Sequence, residues 1–411
     1  MDYPPPLANG EGAGGGSGGD AGGEAGGSLP ADAVDRMLPR GGGVYLLTDE
    51  QGRLIQLAGA GDLRRALRAR LIEPPAGREE AGAGPVRRKA HLGQVVRKIR
   101  WRTTHSMFEV DYAYHRIARV LMPDEYLDNV AFGPAWLVHV DPEATIPRFV
   151  AGKKLRHPPG LDLGPFATQA DANRFIQILH DAFDLCRHHR VLEQVPNGQP
   201  CAYFEMGKCP APCNGSIPMS AYRAKVAAAV AFVRGEREAA YEGWQAQMQE
   251  AAAALLYEKA AMLKQRLERA RGIEHAAFRR VRPVEAFNYL VVQRGGGRTR
   301  VKPFFIRAGW ITPGEQAKLK EIDRAAGQWM AQMKQTPTSP IGRTRDDGAD
   351  RQHLTEQIWL VSHYLFKRDP PGLFMHASEL EDPTALARRV QERFAKVAHP
   401  SPGRTSDDPP A

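Results

Sequence analysis

All four cysteines of this 411-residue chain lie between Cys186 and Cys213. Three sit in one run, Cys201-Ala-Tyr-Phe-Glu-Met-Gly-Lys-Cys209-Pro-Ala-Pro-Cys213. Cysteines used as small core filler have no reason to gather this way. A thiolate cage must bring its sulfurs to one point, and short spacing lowers the entropy cost of closing it. The intervals are fourteen, seven and three residues. Two tight CxxC knuckles would favour zinc; this looser spacing leaves zinc and an iron–sulfur cubane both open. His188 and His189 flank Cys186 and could stand in for it as ligands, and unligated core thiols are the plain alternative.

Composition narrows the class. There is no apolar run long enough for a bilayer and no basic-then-apolar start, so a soluble, cytoplasmic protein is expected, with no membrane partner. In a reducing compartment, grouped cysteines are ligands more often than disulfides. Lys+Arg is 56 against Asp+Glu 47, a net charge of +9, which points to a polyanionic partner and to nucleic acid first. Basic groups cluster at Arg64, Arg65, Arg68 and Arg70, at Arg87, Arg88 and Lys89, at Arg97, Lys98, Arg100 and Arg102, and at Lys153, Lys154 and Arg156. Such runs are often only solvated faces. Read as phosphate contacts, they predict salt-sensitive binding with little base readout.

The order of blocks is legible. Residues 1–30 are Gly-rich with almost no large apolar groups, and 399–411 are rich in Pro, Ser and Asp, so 1–39 and 399–411 read as disordered tails. Thr336 to Arg351 reads as a loop. Gly43-Val-Tyr-Leu-Leu-Thr48 and Leu54-Ile-Gln-Leu57 read as strands around a turn. Asp62 caps a helix over Leu63 to Leu71, Val95 to Thr103 reads as a strand, and Ser106 to Leu121 as a helix. Ala135 to Val150 looks like a strand pair and Thr168 to Arg187 a helix. Ser220 to Arg271 is almost wholly helical. Val284 to Ile306 holds two strands around Gly295-Gly-Gly297, and Pro313 to Gln335 and His353 to Lys367 read as helices.

The block starting at Gly43-Val44-Tyr45 resembles the GIY-YIG nuclease module. The whole order resembles the UvrC excinuclease family of bacterial nucleotide excision repair. Gly164-Pro165-Phe166 before a helix is similar to that family's Gly-Pro-Tyr segment, and the four cysteines to its cysteine set. Met248 through Ala261 resembles its UVR motif, and Val301-Lys-Pro-Phe-Phe-Ile-Arg307 the strand after it. The resemblance implies an α+β multi-domain chain. It would comprise a small α/β GIY-YIG-like domain at 40–125, a cysteine-cluster linker at 126–218, a helical UVR hairpin at 219–275 and a small α+β region at 281–398. The acidic residues of a second nuclease domain and a helix–hairpin–helix pair are not found in the sequence, so a shortened form is expected.

Alignment through Asp62-Leu63 implies the nuclease positions. Tyr45 is retained, while Gln56, Gly59, Ala66, Arg70 and Tyr114 stand where the family has its second tyrosine segment, a lysine, an arginine, a third tyrosine and the metal-binding glutamate. A divalent metal there is therefore doubtful, with Asp111 the only substitute in view. The resemblance implies a [4Fe–4S] cluster on Cys186, Cys201, Cys209 and Cys213, with zinc as the alternative. It also implies UvrB binding through the UVR motif, at Leu255, Tyr257 and Ala261, although an ordinary self-satisfied hairpin has the same pattern. Contacts to double-stranded DNA fall on Arg64, Arg65, Arg97 and Lys98. The expected function is a DNA-binding and UvrB-binding repair protein with a degenerate endonuclease site. The alternatives are an active, diverged structure-specific endonuclease and a regulatory scaffold outside repair.

Overall fold

A computed structural model of the chain describes residues 20–22, 36, 38–72, 92–156, 159–335 and 348–395. Most of both expected tails, the Arg87–Lys89 cluster and residues 336–347 lie outside them.

The N-terminal module is an antiparallel sheet between two helices. Within the expected tail, β1 (Asp20–Gly22) pairs antiparallel with the outer edge of β4. β2 (Gly42–Thr48) is central and pairs with β3 (Leu54–Ala60) on one side. α1 (Leu63–Leu71) follows, and its start is set by Asp62, whose carboxylate accepts from the Arg65 amide at 3.0 Å. β4 (Lys98–Thr104) returns along the other side of β2, giving the order β1-β4-β2-β3. α2 (Met107–Leu121) is capped by Ser106, which accepts from the Glu109 amide at 3.2 Å. Strand alternation sends Tyr45, Leu47, Ile99 and Trp101 toward Leu63, Leu67 and Leu71 of α1. Val44, Leu46 and Leu57 go the other way, against Val110, Ala113, Tyr114 and Ile117 of α2.

Residues 126–218, expected as a linker, hold a folded sheet of their own. β5 (Trp136–Val140), β6 (Val150–Gly152) and β7 (Leu161–Phe166) pair in the order β6-β5-β7. α3 (Gln169–Phe183), capped by Thr168, packs on them through Phe175, Ile176 and Leu179. The helical stretch is three helices: α4 (Met219–Arg234), α5 (Arg237–Ala253) and α6 (Tyr257–Ala270). It breaks at Gly235 and at Leu255, both with positive φ. The arm shares one core with the middle sheet, where Phe183 and Phe232 meet Trp244. Asp184, at the left-handed end of α3, accepts from Arg266 of α6 with both oxygens at 2.7 Å. β8 (Arg282–Pro283) returns after the arm to complete the middle sheet beside β7.

The C-terminal unit is built on a third antiparallel sheet. It comprises β9 (Tyr289–Arg294), β10 (Arg300–Arg307), β11 (Trp310–Pro313) and the short β12 (Ala317–Lys318), which pairs with β10. α7 begins only at Ile322 (Ile322–Gln335), because the residues from Trp310 to Pro313 pair as a strand. α8 (Gly348–Leu365), β13 (Leu373–His376) and α9 (Pro383–Ala395) follow. One face of the sheet (Val291, Phe304, Ile306) packs on α2 and α8. The other (Leu290, Val292, Phe305) packs on α7 and α9.

α8 joins the units. Its Thr355 hydroxyl accepts from the Leu155 amide and its Trp359 indole donates to the Lys153 carbonyl, both in the middle unit. Gln357 accepts from the Ile311 amide at 2.6 Å. Glu356, fully buried, meets His115 at 2.7 Å and accepts from the Tyr126 hydroxyl at 2.5 Å. Among the described residues no helix is long and apolar enough to cross a membrane.

Candidate functional site

The cysteine loop runs from the end of α3 to the start of α4. Cys186 follows the left-handed Asp184, and its amide donates to the Tyr222 hydroxyl at 3.2 Å. Cys201 precedes a short helical turn, Ala202–Glu205. Cys213 sits in a tight turn, Pro212–Asn214, behind the left-handed Ala211. Gly198 lets the chain close on it: its amide donates to the Cys213 carbonyl at 2.9 Å, and a β-carbon there would lie 2.7 Å from the Val191 carbonyl. Cys209 and Cys213 are buried and all four thiols are free.

The Cys186 and Cys209 sulfurs share a hydrogen bond. That contact pushes the Cys186 thiol up and holds Cys209 below the usual thiol range, helped by the Arg187 guanidinium. Burial raises Cys213, and the neighbouring Cys209 and Cys201 sulfurs raise it further. Arg187 lies over the Tyr203 ring at 4.6 Å and pairs with Asp181. Cys186 and Cys209 are thus brought into contact, with a cation beside them. Among the described residues, no three His, Cys, Asp or Glu side chains stand close enough to coordinate one ion.

The positions aligned with the nuclease site are divided by the sheet. Tyr45 faces α1, where Ala66 packs beside it and Arg70 reaches it; burial raises its pKa more than Arg70 lowers it. Gln56 is the cross-strand partner of Leu47, and its amide oxygen is buried without a partner. Tyr114 lies in the opposite layer with Val44, Leu46 and Leu57. Gly59 is required by that layer, since a β-carbon there would come within 2.6 Å of Val110. Asp111 does not join Tyr45 either. It is buried against the C-terminal unit and accepts from the Tyr364 hydroxyl, and burial raises its pKa.

The predicted DNA contacts split into two pairs. Arg64 donates to the Leu38 carbonyl at 2.6 Å and Arg65 is exposed, both at the start of α1, beside Gly41. Arg97 donates to the Gln94 and Val96 carbonyls and Lys98 is exposed, at the far end of β2 beside Thr48. The length of β2 separates the pairs by ~20 Å.

The apolar positions of the α5–α6 hairpin divide between core and surface. Leu263 and Leu267 are buried within it and Ala260 is half-buried, whereas Leu255 and Tyr257 are 68% and 67% exposed and Ala261 is exposed. Leu256 and Met262 are exposed as well, and helical spacing alone does not single them out, because it places them on a polar face.

A family model described as UvrC/Cho excinuclease, middle domain, matches residues 135–232, the sheet, α3, the cysteine loop and most of α4. The curated relatives agree. UvrABC system protein C of Syntrophotalea carbinolica is 27% identical over 66% of this chain and 43% of its own length. The Caulobacter vibrioides protein is 27% identical over 78% of this chain and 49% of its own length. The Nitrobacter winogradskyi protein is 31% identical over 40% of this chain and 24% of its own length. Residues 135–232 are therefore a middle domain of the UvrC/Cho excinuclease type, and the chain beyond that domain is similar to UvrABC system protein C. Each match spans less than half of the relative's length. No solved structure matches.

Proposed function

We propose that this chain is a DNA-binding platform of nucleotide excision repair that engages UvrB through the α5–α6 hairpin and does not itself cut. The observation that carries the reading is the hairpin tip. Leu255, Leu256 and Tyr257 form a contiguous exposed apolar group beside a buried helical core. A soluble surface keeps such a group for a partner, and an aromatic anchor of this kind commonly carries more than ~2 kcal/mol of binding. The GIY-YIG-like strand and helix order supports the family's module as the scaffold. The separation of Tyr45 from Tyr114 and the engagement of Asp111 by Tyr364 support lost incision chemistry. Each missing transition-state contact costs about 10²–10³ in rate.

In this reading the four cysteines hold a [4Fe–4S] cluster, with zinc as the competing occupant. The bound group would tie the loop between α3 and α4 and supply no incision chemistry. The mutual contact of Cys186 and Cys209 and the cation at Arg187 support thiolate ligation. The test of the function is UvrB capture by the intact chain: binding is expected, with loss of at least ~30-fold in Tyr257→Ala. Intact chain that leaves UvrB unbound would remove the reading.

A further inference from the structure

The C-terminal unit carries cations that the sequence did not single out. β9 and β10 are joined through Gly295, Gly296, Gly297 and Arg298. Gln316 pins this turn by accepting from the Gly296 amide at 2.8 Å. The His105 ring lies over it, 3.3 Å from where a β-carbon of Gly296 would be. Glu109 closes the joint, accepting from the His105 amide at 3.0 Å and from Lys302 at 2.5 Å. The turn is thereby fixed against the start of α2.

The start of α1 is at the same end of the N-terminal module. The Leu63 amide donates to the Gly41 carbonyl at 2.8 Å, and Gly42 pairs with Thr104, next to His105. Gly61 lies against Met107, the first residue of α2. Arg64, Arg65, His105 and the glycine turn therefore share one end of the molecule's N-terminal sheet, and Arg97 and Lys98 are at the other.

Positive charge there is poorly balanced. Arg298 and Arg300 are exposed and meet no carboxylate among the described residues. Arg300 is the register partner of Lys318, and like charges placed opposite each other are destabilising. Lys318 has only Glu321, at 3.8 Å, and Glu315 is the exposed acid of the adjoining loop. Beneath the turn, Arg294 donates to the Arg298 and Phe394 carbonyls at 2.8 and 2.7 Å rather than to a carboxylate. A stable fold that keeps such a group suggests an external polyanion that neutralises it.

We propose that Arg64, Arg65, Arg298, Arg300 and Lys318 form one track for the sugar–phosphate backbone of duplex DNA, running across the N-terminal and C-terminal units. This rests on the DNA-binding reading above and adds the surface that the duplex occupies. The test is duplex binding by the full chain, measured as affinity against salt. Each lost phosphate contact lowers the slope of log K on log salt by about 0.9, so Arg298→Ala/Arg300→Ala/Lys318→Ala is expected to lower it by about 2.7. Arg298→Lys/Arg300→Lys keeps the charge and is expected to keep the slope, which a merely structural role of the turn would not do. Thermal melting of the triple alanine variant, expected unchanged or raised, reports folding. An unchanged slope in that variant, with a reduced one in Arg97→Ala/Lys98→Ala, overturns this track and leaves DNA binding standing. A loss seen on single-stranded DNA alone overturns the assignment to duplex. Absence of duplex binding by the intact chain overturns the parent reading instead.

Discussion

Leu255 is held at φ +60°, where Gly or Asn would rest without strain. The left-handed region costs a residue with a β-carbon about 1–2 kcal/mol, and an exposed leucine recovers none of this from a core. Retaining it makes sense only if the side chain meets something outside the chain. Leu255→Gly is therefore expected to change stability by no more than about 0.5 kcal/mol, relief of strain offsetting the added chain entropy, while weakening UvrB capture. Leu263→Ala, inside the hairpin, is expected to cost about 2–5 kcal/mol in denaturant unfolding. The cysteines make a separate residue-scale claim. Anaerobically purified protein is expected to be brown, and Cys209→Ser to lose that absorbance; colourless protein with stoichiometric zinc would assign zinc instead.

At the scale of elements, α8 is the joint on which the units meet. Removing Glu356 would leave the buried His115 ring and Tyr126 hydroxyl without their hydrogen-bond partner, and each such buried group left unsatisfied costs about 1–3 kcal/mol, so Glu356→Ala is expected to lower the unfolding free energy. Two buried histidines, His353 on α8 and His180 on α3, set a pH dependence. Burial, reinforced by Arg119 and His115, pushes His353 down to about 3, and burial and Arg187 push His180 down to about 4. Both stay neutral when folded but take up a proton when unfolded below about 6.5, so stability falls as pH drops from 6.5 toward 4. Each contributes a slope of about 1.4 kcal/mol per pH unit in that window. His353→Gln is expected to flatten the slope by one proton's worth, read from unfolding at a series of pH values.

Local signals were the legible ones. Asp62 and Ser106 marked their helices because a cap acts within three residues. The strand pair around Gly295–Gly297 was visible because its partners are neighbours in sequence. In 126–218 only the neighbouring pair near Ala135 to Val150 was visible, whereas β7 and β8 were not, and β8 joins only after the whole helical arm has intervened. The polar faces of α8 gave no sign of burial either. Thr355, Glu356 and Gln357 are polar and buried, each satisfied by a group from a distant part of the chain. Leu255 and Tyr257 share their apolar character with Leu263, and only the turn geometry separates the exposed tip from the core.

At the scale of the whole molecule, the N-terminal module is locked to the C-terminal unit by the contacts of α2. Glu109 holds Lys302, Asp111 holds Tyr364, and Tyr112 donates to the Ile311 carbonyl. The helix aligned with the one that carries the metal carboxylate of a GIY-YIG enzyme serves here as an interface between units, which supports the proposed platform that binds without cutting. The most direct measurement is nicking of a damaged DNA duplex by the intact chain with UvrB and either magnesium or manganese. A stable protein–DNA complex with no nicked product is the expected result. Metal-dependent nicking that disappears in Tyr45→Phe would contradict it.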